Sequence, residues 1–284
     1  MDGILLVNKP IGITSRDVVN IVSKKLKTKK IGHTGTLDPM AEGVLVLCIG
    51  KATKLVELLT NHDKIYEVEA ILGIKTDTLD ITGNILEDKS THFSYDDIKN
   101  TFDNFPKEYL QQVPIYSAVK INGKKLYEYA RNNEQVELPS RMVNIYELIL
   151  LETLNDTHTT IKFKTHVSKG TYIRSLVNDI AVNLNTNGIM SKLKRMKQGK
   201  YKIEECYTLD DIENDNYKIL TIEEVLSNYN SIEVNDELYN KIKNGRVLEN
   251  IYNEDLIIVA KDNKIISIYK PYKDNLIKPY QMFI

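Results

Sequence analysis

Tryptophan is absent from the 284 residues, and cysteine and proline are sparse, at two and seven. Cys48 and Cys206 form no CxxC pair. Two distant thiols give no disulfide framework and point to free cysteines in a reducing, cytoplasmic setting. The histidines, His33, His62, His92, His158 and His166, show neither HxxxH nor HExxH spacing, so no metal site is expected. Purely apolar runs last only a few residues, against roughly 20 for a bilayer span, so no membrane association is expected. No basic segment precedes an apolar one at the start, and Asn8-Lys9-Pro10 interrupts the stretch Ile4 to Val7, so no secretory signal is read. A nucleotide-binding glycine loop is also missing. Gly43 precedes Gly50-Lys51-Ala52-Thr53 by seven positions where that motif needs five, and the run between is strand-like.

Excess charge is missing as well, since the formal net charge is -1. Its distribution is uneven. From Ile161 to Lys202 there are ten basic residues and one acid, Asp179, whereas Ile203 to Glu237 carries eleven acids and one base, Lys218. A second basic cluster comprises Lys24, Lys25, Lys27, Lys29 and Lys30. Segregation of this kind suits one basic face, able to meet a polyanion, and a solvated acidic back.

The periodicities alternate between two and about four, which predicts an α+β fold. Thr14 or Ser15 caps a helix with Val18, Val22 and Leu26 on one face. Val44 to Ile49 reads as a strand buried on both faces, and Ile65 to Ile74 as an alternating strand with Tyr66 at its entrance. Ser94 and Asp97 form a capping box ahead of Ile98, Phe102 and Phe105, and Asn122-Gly123 marks a hairpin. A strand from Ile161 to Val167 breaks at Ser168-Lys169-Gly170-Thr171. It leads into a helix with Ile173, Val177, Ile180 and Leu184 inward and Arg174 off that face. Short strands at Leu256 to Ala260 and Ile265 to Ile268 suggest a small β-rich C-terminal module. The division read from the sequence is 1–225 and 226–284.

The segment Gly32-His33-Thr34-Gly35-Thr36-Leu37-Asp38-Pro39-Met40-Ala41-Glu42-Gly43 concentrates three glycines, a proline, a histidine and Asp38 ahead of the Val44 to Ile49 strand. Glycine admits backbone angles other residues avoid, and proline restricts itself and its predecessor. Such a loop holds Asp38 in a fixed pose, as a catalytic carboxylate requires. An Asp-Pro turn or a helix cap explains the same residues without chemistry.

This loop resembles the active-site loop of the TruB-type tRNA pseudouridine synthases. Four further segments resemble the same family, in its order. They are Asn8-Lys9-Pro10-Ile11-Gly12-Ile13-Thr14-Ser15; Lys64-Ile65-Tyr66; Tyr116-Ser117-Ala118-Val119-Lys120 with Asn122-Gly123-Lys124; and Ser168 to Arg174 with Leu193-Lys194-Arg195. Together they span Gly3 to Leu209. The chain departs from the family at Val167, where cysteine is frequent, and at Val113-Pro114, where two prolines are frequent; neither position is expected to do chemistry.

The resemblance implies a pseudouridine synthase fold, with a central mixed, largely antiparallel sheet and a PUA-like C-terminal module. It implies an isomerase that turns the T-loop uridine of tRNA, the one that becomes the Ψ of TΨC, into pseudouridine. The uracil is detached from C1′, turned over and rejoined through C5, with no redox change and hence no cofactor. By the resemblance Asp38 is the nucleophile and Arg174 its partner, expected to hold the Asp38 pKa down. Tyr66 and Tyr172 hold the uracil, Leu193 packs on it, and His33 stacks against the RNA beside the extruded base. Lys9 either supports the loop or meets phosphate, and Lys192, Lys194, Arg195 and Lys197 are assigned to the same alternatives. The implied partner is the tRNA T-arm stem-loop, with a monomeric protein and no obligatory protein partner. Three rivals remain at this level: an RNA-guided synthase of the same fold, an RNA-binding protein or tRNA chaperone that has kept the fold without catalysis, and, most distant, a nucleotide-dependent transferase.

Overall fold

A computed structural model of the chain describes residues 1–251 and 254–284. The first half contains β1 (Gly3–Lys9), α1 (Ser15–Lys25), β2 (Ile31–His33), β3 (Glu42–Ile49), α2 (Val56–Thr60), β4 (Lys64–Leu72), β5 (Ile74–Thr76), β6 (Ile85–Asp88), α3 (Tyr95–Asp103) and β7 (Glu108–Gln112). It continues with β8 (Lys120–Ile121), β9 (Lys124–Lys125), α4 (Leu126–Arg131), β10 (Ser140–Asn155), β11 (Thr159–Val167), α5 (Ile173–Asn183), β12 (Gly188–Gln198) and β13 (Tyr201–Lys202). After α6 (Leu209–Glu213) and α7 (Ile222–Leu226) come β14 (Ser231–Glu233), α8 (Asp236–Ile242), β15 (Leu248–Glu249), β16 (Ile257–Lys261), β17 (Lys264–Pro271) and β18 (Leu276–Met282).

The main sheet has nine strands in the order β1-β3-β12-β4-β11-β10-β7, with β2 beside β3 and β13 beside β12. Only the β3–β12 pair is parallel; β4 runs antiparallel to both β11 and β12. The expected mixed, largely antiparallel sheet is therefore present. Local signals explain the element boundaries. The Thr14 side chain caps α1 in a reciprocal box with Asp17, and Ser94 does the same with Asp97 for α3. Asn122 and Gly123 both adopt positive φ, the requirement of a two-residue hairpin. The strand read as Ile65 to Ile74 stops at Leu72, because Gly73 turns the chain at φ +96 and Ile74 enters a separate two-stranded sheet with β6.

The core under the site is built by β4, β11, α5 and β12. Tyr66, Val68, Ala70, Phe163, Leu176, Val177, Met190 and Leu193 pack into one cluster that also receives Leu37 from the loop after β2. At a second contact, β14 to β18 form a five-stranded sheet, consistent with a PUA-like module. Ile258 and Ile268 of that sheet, with Phe283 just after β18, share a cluster with Ile4, Leu6, Val44 and Val46, and Lys51 donates to the Phe283 carbonyl at 2.6 Å. The C-terminal sheet is thus fixed against the back of β1 and β3.

One glycine governs how β3 meets β12. Gly43 sits at φ +109, and a Cβ there would lie 2.3 Å from the Arg195 carbonyl oxygen, a backbone atom that the sheet holds in place. Gly43→Ala is therefore expected to destabilise the protein by roughly 2–4 kcal/mol, measured by denaturant unfolding. A loss below about 0.5 kcal/mol would show that the two strands separate easily.

Candidate active site

The loop after β2 is short because its ends are already strand. β2 takes Ile31–His33 and β3 begins at Glu42, so Thr34 to Ala41 remain as loop. The N-terminal motif clamps it. Ser15 Oγ accepts from the Leu37 amide at 2.9 Å and donates to its carbonyl at 3.1 Å, and the Gly12 amide donates to the Pro39 carbonyl at 2.8 Å. Lys9 is fully buried; its ammonium donates to the carbonyls of Pro10 at 2.8 Å, Ile13 at 2.7 Å and Pro39 at 3.5 Å. This geometry makes Lys9 a tie between the two motifs. Burial, with Arg195 nearby and against the pull of Asp38, lowers its pKa to about 8.

The clamped loop presents Asp38 to a cleft of about 1060 Å³ lined also by Tyr66, Tyr172, Arg174, Leu193 and Arg195. Asp38 Oδ2 lies 3.2 Å from Arg174 Nε. The expected net lowering of the Asp38 pKa is not found. Burial is the largest influence and raises it; Arg174 and Lys9 pull it down, and Asp80 pushes it up. About a third of the side chain stays exposed, as its carboxylate opens onto the cleft.

Arg174 was expected off the inner face of its helix, yet it is buried. The helical wheel misleads here because α5 has protein beyond its apolar stripe. Arg174 Nη1 donates to the Thr78 carbonyl at 3.0 Å and Nη2 to the Tyr116 carbonyl at 2.9 Å. Nη1 also faces Asp80 at 3.7 Å. Asp80 is the residue that sequence reasoning missed. Its carboxylate accepts from Thr78 Oγ1, the Thr82 amide and Thr82 Oγ1, at 2.8, 3.0 and 2.6 Å. In sequence, Thr78-Leu79-Asp80-Ile81-Thr82 signals only a turn.

Tyr66 is buried on β4, where it stands opposite Arg195 of β12. Leu193, on the same face of β12 as Arg195, is buried beside it in the core cluster. Tyr172 precedes α5, its amide donating to Gln111 Oε1 at 2.8 Å, and the Arg141 guanidinium lies 5.3 Å from its ring centre. His33 ends β2 opposite Leu47 and lies outside the lining of the cleft; burial first, then Arg195 and Arg16, lower its pKa.

The basic run does not form one outer stripe, because as a strand it alternates. Lys192 and Lys194 occupy the face opposite Leu193, 3.2 Å from Glu69 and 3.5 Å from Glu42, and Lys197 is half-buried. Arg195 is buried, its Nε donating to the Val44 carbonyl at 2.7 Å and Nη2 to the Gly35 carbonyl at 3.1 Å. It therefore stands beneath the loop and off the outer surface. Among the described residues no cluster of three or more His, Cys, Asp or Glu is arranged to hold a metal, and no helix is long and apolar enough to cross a membrane.

A carboxylate on a clamped loop, a buried guanidinium against it and an aromatic-lined cleft thus lie together on one mixed sheet. Comparison with known proteins gives the family. Residues 23–173 match the model of the TruB family pseudouridylate synthase N-terminal domain. A tRNA pseudouridine synthase B of Caldanaerobacter subterraneus subsp. tengcongensis is 43% identical, with 94% of each chain covered. That of Bacillus subtilis is 37% identical, covering 100% of this chain and 98% of the relative. A chain in the structure of an H/ACA RNP bound to a substrate RNA containing 2′-deoxyuridine superposes with TM-score 0.72 at 22% identity, over 99% of this chain and 85% of that one. The protein belongs to the TruB family of pseudouridine synthases.

Proposed function

We propose that this protein isomerises uridine to pseudouridine in tRNA, at the T-loop uridine of TΨC, and that Asp38 is the nucleophile. The observation that carries this reading is the placement of Asp38 at the cleft, 3.2 Å from a buried Arg174 that is itself fixed by two carbonyls. A nucleophilic carboxylate must be ionised and aimed, and Arg174 serves both needs. Tyr66 and Tyr172 then supply flat apolar surface for an extruded uracil, and Leu193 closes the floor. Extrusion costs a few kcal/mol and one stacked ring returns about 1–3 kcal/mol, so one ring roughly offsets extrusion and further contacts supply the net affinity. His33, outside the cleft lining, is assigned to RNA on the flank of the loop. Lys192, Lys194 and Lys197 are assigned to phosphates at the margin. The C-terminal sheet, fixed to the catalytic part, is assigned to more of the tRNA, and the working form to a monomer in the cytoplasm.

The test is incubation of the protein with an unmodified T-arm stem-loop and mapping of Ψ. Isomerisation at the T-loop uridine is expected; none there, or Ψ only elsewhere, overturns the proposal. The chemistry also has a predicted pH limb. Asp38 must be charged to attack, and burial raises its pKa above the ordinary 3.8. Single-turnover rates should therefore fall on acidification with a midpoint above 3.8. A flat acid limb down to that value would remove Asp38 from the rate-limiting step.

A further inference from the structure

Besides Arg174, which pairs with Asp38 and Asp80, three cations are buried around the site: Lys9, Lys64 and Arg195. They differ in how far their donors are used. The ammonium of Lys9 is shared among three carbonyls. Lys64 donates to the Thr60 carbonyl at 2.8 Å and to that of His62, leaving one N–H of three. Arg195 uses Nε and Nη2, while Nη1 makes no hydrogen bond among the described residues. Neither Lys64 nor Arg195 has a carboxylate within 4 Å among the described residues, and both line the cleft. Buried charge without a counter-ion is costly, so two such cations on one cleft wall call for an anion.

We propose that Lys64 and Arg195 form an anion subsite for a phosphodiester of the RNA strand, at a linkage flanking the target uridine. The register fixes why the linkage belongs there. Lys64 and Tyr66 lie on one face of β4, about 6.6 Å apart along the strand, and Arg195 stands directly across from Tyr66 on β12. A base held on Tyr66 brings its own backbone to these two cations. The subsite rests on the reading of the cleft as the uridine site. It assigns Lys64 a binding role in the ground state, with the strand held in place before the glycosidic bond is broken.

The test uses T-arm stem-loops with a single uncharged methylphosphonate at each linkage in turn around the target uridine. Affinity is measured for the wild type, Lys64→Met and Lys64→Arg. One neutral linkage should weaken wild-type binding by about ten- to hundredfold, the range of one charged hydrogen bond. Lys64→Met should lose a similar factor on the native RNA and lose little more on that neutral RNA, with saturating turnover within about threefold of wild type. Lys64→Arg should keep both the affinity and the sensitivity to the neutral linkage. Equal wild-type affinity for every neutral linkage, a test that needs no variant, overturns the subsite. So do losses in Lys64→Met that simply multiply with those of the neutral linkage. Failure of wild type to form Ψ in the native RNA overturns the underlying function instead, so the two failures are separable.

Discussion

Asp38→Asn is expected to abolish turnover, by at least about a thousandfold, while RNA binding stays within roughly tenfold. The substitution keeps the size of the side chain and removes only the charge and the nucleophilic oxygen. The loop itself does not depend on that carboxylate, since Ser15, Gly12 and Lys9 hold it through backbone groups of Leu37 and Pro39. Stability should not fall. The folded-state pKa of Asp38 is raised, so the ionised form opposes folding at neutral pH, and that opposition disappears as pH falls through the folded value. Replacing the charge by an amide removes it at all pH values, and Arg174 retains Asp80 and two carbonyls. Substantial residual turnover in this variant would overturn the nucleophile assignment. A sharp drop in melting temperature would mean that the Asp38–Arg174 pair, rather than the backbone clamp, shapes the loop.

Arg174→Met should damage both fold and reaction. It leaves Asp38 and Asp80 without their shared cation, and the Thr78 and Tyr116 carbonyls without their donor. Breaking a buried pair of this kind costs about 3–5 kcal/mol. Turnover should drop by at least about a hundredfold, and the acid limb should move to higher pH, because the group that pulls the Asp38 pKa down is gone while burial and Asp80 remain. Arg174→Lys should fall between the two, since one ammonium cannot meet two carboxylates and two carbonyls in the fan that a guanidinium provides. An unchanged acid limb in Arg174→Met would separate Arg174 from the ionisation of Asp38.

The two variants probe features that differ in how they can be read. The position of Asp38 is local: glycines, Pro39 and the capped helix at Ser15 lie within 30 residues of it, and their backbone preferences act wherever the chain goes. Arg174 is different. Its place on the apolar helix α5 suggested an outer residue, because periodicity reports one buried stripe and carries no information about a loop arriving on the opposite side. That loop is Thr78 to Thr82, whose Asp80 carried no signal beyond a turn. Lys9 and Arg195 stayed open between loop support and phosphate contact for the same reason. Their partners are carbonyl oxygens, and every residue has one.

The sequence by itself determined the sheet-and-helix alternation, the capped starts of α1 and α3, the hairpin at Asn122-Gly123 and the loop that bears Asp38. These depend on backbone angles and side-chain periods, which act between near neighbours. Tertiary structure alone decided that Arg174 is shared between Asp38 and Asp80, that Lys9 and Arg195 are interior, and that the C-terminal sheet is fixed to the back of β1 and β3. Each of these depends on which distant carbonyl, carboxylate or apolar face the folded chain brings within a few ångströms, and burial then gives the contact its strength.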